Sequence, residues 1–86
     1  MRALTHKDFD KQYAKLRVGE RERFKQRKNL FLANAFHPIL NNHALGGGYA
    51  GYRSINVGGN LRAVFKMIDE ETALFVDIDT HPNLYK

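Results

Sequence analysis

"GYRSINVGGNLRAVFKMIDEETALFVDID", residues 51–79, decides the fold. It holds three runs rich in β-branched and aromatic residues, at 51–57, 61–68 and 72–79. Gly58-Gly59 separates the first two, and Asp69-Glu70-Glu71 separates the last two. Short turns between such runs predict a three-stranded antiparallel meander. In the second run Ala63, Phe65 and Met67 alternate with Arg62, Val64 and Lys66. In the third, Leu74, Val76 and Ile78 alternate with Phe75, Asp77 and Asp79. A period of two sets one face against a core and leaves the other open and partly charged.

Upstream the period changes. In "HKDFDKQYAKL", residues 6–16, Phe9, Tyr13 and Leu16 recur at helical spacing, which predicts one amphipathic helix. Thr5 and Asp8 have the spacing of a capping box, and Gly19 is expected to end the pattern. A second helix is predicted over 20–36, with Phe24, Phe31 and Ala35 on one stripe. Asn34 or His37-Pro38 ends it, because the residue before proline avoids helical backbone. "ALT", residues 3–5, reads as a short first strand. The expected fold class is α+β in the order β-α-α-β-β-β, a helical hairpin packed on a small antiparallel sheet. Residues 1–86 form one domain in this reading.

Composition narrows the function. The chain has 86 residues, 43% apolar, so it is globular but buries only about 60% of its unfolded surface. It has no cysteine, hence neither disulfides nor a thiolate metal site, which suits the cytoplasm. No apolar run approaches the roughly 20 residues of a membrane span, and the N-terminus carries no signal core. Net charge is +5. Residues 1–37 carry ten Lys or Arg against four Asp or Glu, whereas residues 38–86 carry four against five. Such a field suits a polyanion or an acidic protein, although a solvated basic face is the plainer reading. The histidines at 6, 37, 43 and 81 have no metal-ligand spacing. The triple glycine at 46–48 is not followed by Lys-Ser/Thr, and there is no Gly-x-Ser-x-Gly elbow.

What remains is His43 before the glycine turn and His81 after the last strand, both placed for the rim of the open face. Histidine exchanges protons near neutrality. Arg62 shares a strand face with Lys66, and arginine's planar fork suits phosphate. Cleavage of RNA by its own 2′-hydroxyl needs a base, an acid and cations, with no metal required. Each residue also has a plainer role. His43 could be a cap, and His81 could bond backbone. Arg62 could pair with Asp77 or Asp79. Arg53 shares the parity of Ile55 and Val57 and could border the core. Tyr49, Tyr52 and Tyr85 could be packing residues, and His6 and His37 look structural or exposed.

Taken as a set, "FHPILNNHAL", "GYRSINVGGNLRAVFK" and "DTHPNLY" resemble the RelE/ParE superfamily of type II toxin–antitoxin toxins, and its YafQ-like branch most closely. The resemblance implies a ribosome-dependent, metal-independent mRNA endonuclease without a cofactor, acting in the ribosomal A site by 2′-hydroxyl attack. It implies catalytic roles for His81, His43, Arg62 and Asn60. It implies RNA or phosphate contacts for Arg53, Asn56, Lys66 and Tyr85. The partners it implies are a cognate antitoxin, mRNA and the ribosome with its 16S rRNA. Operator DNA would be bound only through the antitoxin complex, and no membrane is involved.

Three positions depart from the branch. Asn56 stands where it has a further active-site histidine, Asn60 where it commonly has aspartate, and Leu61 where it often has tryptophan. Two other readings stay open: a non-enzymatic gyrase poison of the ParE kind, and a silenced toxin that only binds antitoxin or DNA. The nuclease reading further expects the glycine turn to bring His43 beside His81 and Arg62.

Overall fold

The computed structural model describes residues 1–84. The meander is present as β3 (Arg53–Gly58), β4 (Leu61–Asp69) and β5 (Thr72–Thr80), after β1 (Arg2–Thr5) and the short β2 (His43–Ala44). The five strands lie in the order β1-β5-β4-β3-β2. Neighbours in β2–β5 are antiparallel, but β1 runs parallel to β5, so the sheet is mixed. The expected α+β order holds. β2 and the terminal helix α3 (His81–Leu84) are added to it.

Both tight turns follow from their sequences. Gly58 and Gly59 take φ +143° and +55°, a backbone that side chains resist. The Arg23 side chain also lies where a Cβ on Gly58 would stand. At the second turn the Asp69 carboxylate accepts the Glu71 N–H at 2.8 Å. That bond, first among its causes, holds the Asp69 carboxyl below the ordinary carboxylate range.

α1 (Lys7–Ala14) and α2 (Val18–Ala33) form the hairpin. Two local expectations change, and one choice is resolved. His6, not Thr5, caps α1, its Nδ1 accepting the Asp8 N–H at 3.1 Å. Imidazole competes with hydroxyl here because its nitrogen reaches the same orphan donor. Gly19 lies inside the first turn of α2, and the break falls at Lys15–Arg17. A glycine so near a helix start interrupts little, and Glu20 accepts the Arg17 N–H at 2.9 Å to close the end. Of the two stops considered, Asn34 is the one that ends α2.

The core lies between the hairpin and one sheet face. Phe9, Phe24, Phe31, Leu40, Ile55, Val57, Leu61, Ala63, Phe65, Ala73, Phe75 and Ile78 form one buried cluster. Phe75 and Ile78 are both in it, contrary to strict alternation along β5. The cause is a bulge. Val64 pairs with Asp77 and Phe65 with Phe75, so Val76 is an extra residue that shifts the phase. Phe75 touches four rings, with centroids 5.9, 5.5, 5.6 and 5.2 Å from Phe9, Phe24, Phe31 and Phe65.

Phe75→Ala is expected to cost about 3–5 kcal/mol. That is a large share of the roughly 5–15 kcal/mol of a whole domain. Chemical denaturation should show the midpoint collapse, while Met67→Ala at an exposed site stays within about 0.5 kcal/mol.

Candidate functional site

The sheet face away from the hairpin is read from its register. Directly paired residues share a face. One row across it is His43–Ser54–Val64–Asp77, and the next is Asn56–Arg62–Asp79. Lys66 lies on the same face, four residues beyond Arg62, or about 13 Å along the strand.

At the end of this strip several expected residues converge. His81 follows Thr80, which pairs with Leu61, and the His81 N–H donates to the Asn60 carbonyl at 2.7 Å. Asn60 and His81 are thus held together across β4 and β5, with Arg62 on the adjacent row. Among the described residues Arg62 forms no ion pair with Asp77 or Asp79. Its Nη1 donates instead to the Gly59 and Leu61 carbonyls, at 2.9 and 3.1 Å. Neutral acceptors orient the guanidinium without cancelling its charge, which is the condition for gripping an anion. Asp79 is occupied elsewhere. It accepts from Gln12 Nε2 at 3.3 Å, from the Thr80 N–H at 2.7 Å and from Asn83 Nδ2 at 3.1 Å.

His43 stands at the other edge. It does not sit beside His81, because β2 and β5, the strand that leads into His81, are three places apart in the sheet, about 14 Å at the usual spacing. The glycines serve a different geometry from the one expected. Gly47 at φ +59° starts a 3₁₀ turn over Gly47–Tyr49, and the Leu45 N–H bonds the Tyr52 carbonyl at 2.9 Å. The loop 45–52 therefore closes a β2–β3 hairpin that fixes His43 on the rim. His43 Nδ1 lies 2.7 Å from the Asn41 carbonyl, which has no proton to give, so Nδ1 is the donor. The neutral ring then presents Nε2 as its basic nitrogen.

Arg53 follows the parity of the core rather than that of Arg62. Its Nε donates to Asn42 Oδ1 at 2.7 Å and its guanidinium lies 5.4 Å over the Phe36 ring. It is paired with Phe65, on the hairpin side of the sheet, and does not join the strip. Leu61 is buried in the core, so its departure from an aromatic bears on packing first. Tyr85 lies outside the described residues. His6 and His37 are caps, accepting the Asp8 and Ile39 N–H groups.

The face is also less open than alternation suggests. Val64 and Ser54 on it are fully buried. Tyr49 and Tyr52 meet edge to face at 6.0 Å. The Tyr49 hydroxyl reaches Asp77 Oδ2 at 3.5 Å, and Lys66 Nζ lies 5.6 Å over the Tyr52 ring. Ser54 Oγ and Asn56 Oδ1 are buried without a hydrogen-bond partner among the described residues. Uncompensated polar atoms of this kind mark positions shaped for something other than stability.

Asp77 and Asp79 entered the sequence reading only as possible partners of Arg62, and Gln12 did not enter it. The available signal was two carboxylates interrupting an apolar strand. Burial, the largest cause, pushes the Asp77 carboxyl above the ordinary carboxylate range, and the nearby charges of Asp79 and Asp8 add to the shift.

No protein-family model matches the sequence, and no curated protein sequence is significantly similar to it. Solved structures are similar. YafQ from E. coli strain BL21(DE3) superposes with a TM-score of 0.79 at 18% identity, over 98% of this chain and 97% of that one. The fold is that of the RelE/ParE-type toxins, YafQ-like in form. A YoeB/ParE toxin from Agrobacterium tumefaciens gives a TM-score of 0.76 at 15% identity, covering 94% and 99% of the two chains. The toxin of the E. coli DinJ–YafQ toxin–antitoxin complex gives 0.75 at 19%, over 98% and 96%. No helix among the described residues is long and apolar enough to cross a membrane.

A stability test follows from Asp77. Its folded pKa is raised, so the ionised carboxylate costs stability above that value, and the cost disappears as pH falls to the unfolded value of about 3.9. Asp77→Asn keeps the oxygen that accepts the Ile78 N–H at 2.8 Å and removes the charge. Its melting temperature is expected to exceed the wild type's at pH 7, with the gap closing below about pH 4.

Proposed function

We propose that this protein is the toxin of a toxin–antitoxin module and an endoribonuclease that cleaves mRNA on the ribosome by 2′-hydroxyl attack. The observation that carries this reading is Arg62, a guanidinium held by neutral carbonyls one row from His81 and Asn60. Such an arrangement grips a phosphate and offers an imidazole to it. One base takes the 2′ proton as the 2′-oxygen attacks phosphorus. The bond to the 5′-oxygen breaks, and an acid returns a proton to that leaving oxygen. The products are a 2′,3′-cyclic phosphate and a 5′-hydroxyl.

In this reading His81 is the leading proton-transfer group and Arg62 neutralises the phosphate as charge builds on it. Asn60 and Asn56 supply hydrogen bonds along the strip. His43, with Nε2 as its basic nitrogen, meets the RNA at the far rim rather than sharing one proton path with His81. Lys66 extends the positive track. The basic surface of α2, with Arg21, Arg23, Lys25, Arg27 and Lys28, suits ribosomal RNA. An antitoxin with an acidic, amphipathic segment fits the same charge. It also fits the apolar groove that Met1, Phe36 and Met67 form around Arg53.

Induction of the wild type without antitoxin is expected to arrest growth and to cut mRNA within translated codons. His81→Ala is expected to lower cleavage by roughly 10²–10⁴. Full toxicity in that variant overturns the assignment of His81. Arrest with intact mRNA overturns the nuclease reading in favour of a gyrase-type poison.

A further inference from the structure

Beside the strip lies a cleft of about 500 Å³ between α1 and the tyrosine turn. That volume falls in the range of small-molecule sites, roughly 300–1,000 Å³. Its walls differ in chemistry. Lys11 on α1 and Lys15, the residue that caps its C-terminal end, form one side. Tyr49 and Tyr52 form the other, and Asp77 lines it with them. Gln12 also lines it and bonds Asp79, so the cleft opens directly onto the row that holds Arg62.

We propose that this cleft is a guanine-recognition pocket for the nucleotide next to the scissile phosphate, with Asp77 reading the base. The proposal rests on the RNA-cleaving reading for its natural ligand. Cations, aromatic rings and one acceptor together describe a nucleotide: phosphate for the lysines, a π-face for a tyrosine, an edge for the carboxylate. The carboxylate chooses the base. An ionised carboxyl only accepts, through two oxygens with about four lone-pair sites. Guanine alone presents two adjacent donors, N1–H and N2–H, on its Watson–Crick edge. Adenine and cytosine place an acceptor beside their amino groups, and uracil flanks its one N–H with two carbonyls. The Ile78 N–H takes one lone pair of Asp77 Oδ1, and the long 3.5 Å contact from Tyr49 yields readily.

Position supports the assignment. Asp77 and Asp79 are two residues apart on β5, about 7 Å. A base held by Asp77 therefore places its own backbone near Arg62 and His81. Asp8 also lines the cleft, and its carboxylate lies 3.6 Å from His6 Nδ1, almost two helical turns from Lys15. The phosphate end is therefore the Lys15 end. The sequence offered no direct sign of this pocket, because α1, the tyrosine turn and β5 meet only in the fold.

The test is an NMR titration of the wild-type protein with 5′-GMP, 5′-IMP and 5′-AMP. IMP lacks only the N2 amino group, so no variant is needed for the first comparison. Shifts centred on Asp77, Tyr52 and Lys15 are expected, with GMP binding on the order of tenfold more tightly than IMP. Asp77→Asn, checked for a cooperative melting transition, should erase that preference. Equal affinities for the three nucleotides, or shifts confined to another surface, overturn the proposal. GMP preference in a protein that leaves mRNA intact on induction keeps the pocket and removes the nuclease. Cleavage without GMP preference does the reverse.

Discussion

Phe75 is the contact on which the rest of this small protein depends. Its ring meets one phenylalanine from α1, two from α2 and one from β4, so a single side chain of β5 ties both helices to the sheet. A domain of this size has little area to spare. Aromatic rings at edge-to-face angles bury the most surface per residue while keeping one packing arrangement. The bulge at Val76 lets Phe75 and Ile78 both face that cluster while the residues between them turn outward. The same irregularity that completes the core therefore aims Asp77 at the cleft. Packing and site geometry share one cause here.

The outer face shows how a fold keeps charges available. Arg62 lies opposite Asp79 in the register, and a direct ion pair would be the simple outcome. The arginine bends instead to carbonyls of the β3–β4 turn, while Asp79 is held by Gln12, Asn83 and a backbone N–H. Each charge is positioned by neutral groups. A cation neutralised by a neighbour would have to break that pair before meeting a phosphate. This one is already oriented. The tyrosine turn meets Asp77 through the Tyr49 hydroxyl, and burial around that carboxyl disfavours its charge.

Much of this was legible in the sequence. Period-two patterning between short turns predicted the meander, and Phe9, Phe24 and Phe31 marked the buried stripes of the hairpin. Parity in β3 put Arg53 at the border of the core, on the side of the sheet where its pairing with Phe65 places it. What escaped had physical reasons. The parallel pairing of β1 is set by a partner seventy residues away and leaves no local pattern. The bulge inverts parity through one extra residue, which no alternation count detects. His43 and His81 carry no information about the number of strands between them, so their separation emerged only from sheet order. Asp77 and Asp79 were visible as interruptions, but burial and neighbours, not spacing, give them chemistry.

That first pairing has a consequence for synthesis. Arg2 meets Thr72, and among the described residues β1 finds its one sheet partner in β5. Closing so long a loop is entropically late. Until β5 emerges, the helices have no Phe75 to pack on, and β1 has no ladder. The strip also lacks Asp79 and His81, which lie at and just after the end of that strand. A growing chain therefore lacks both its central ring contact and its outer strip until β5 is made. Packing of the core and assembly of the strip therefore share one event, the arrival of β5.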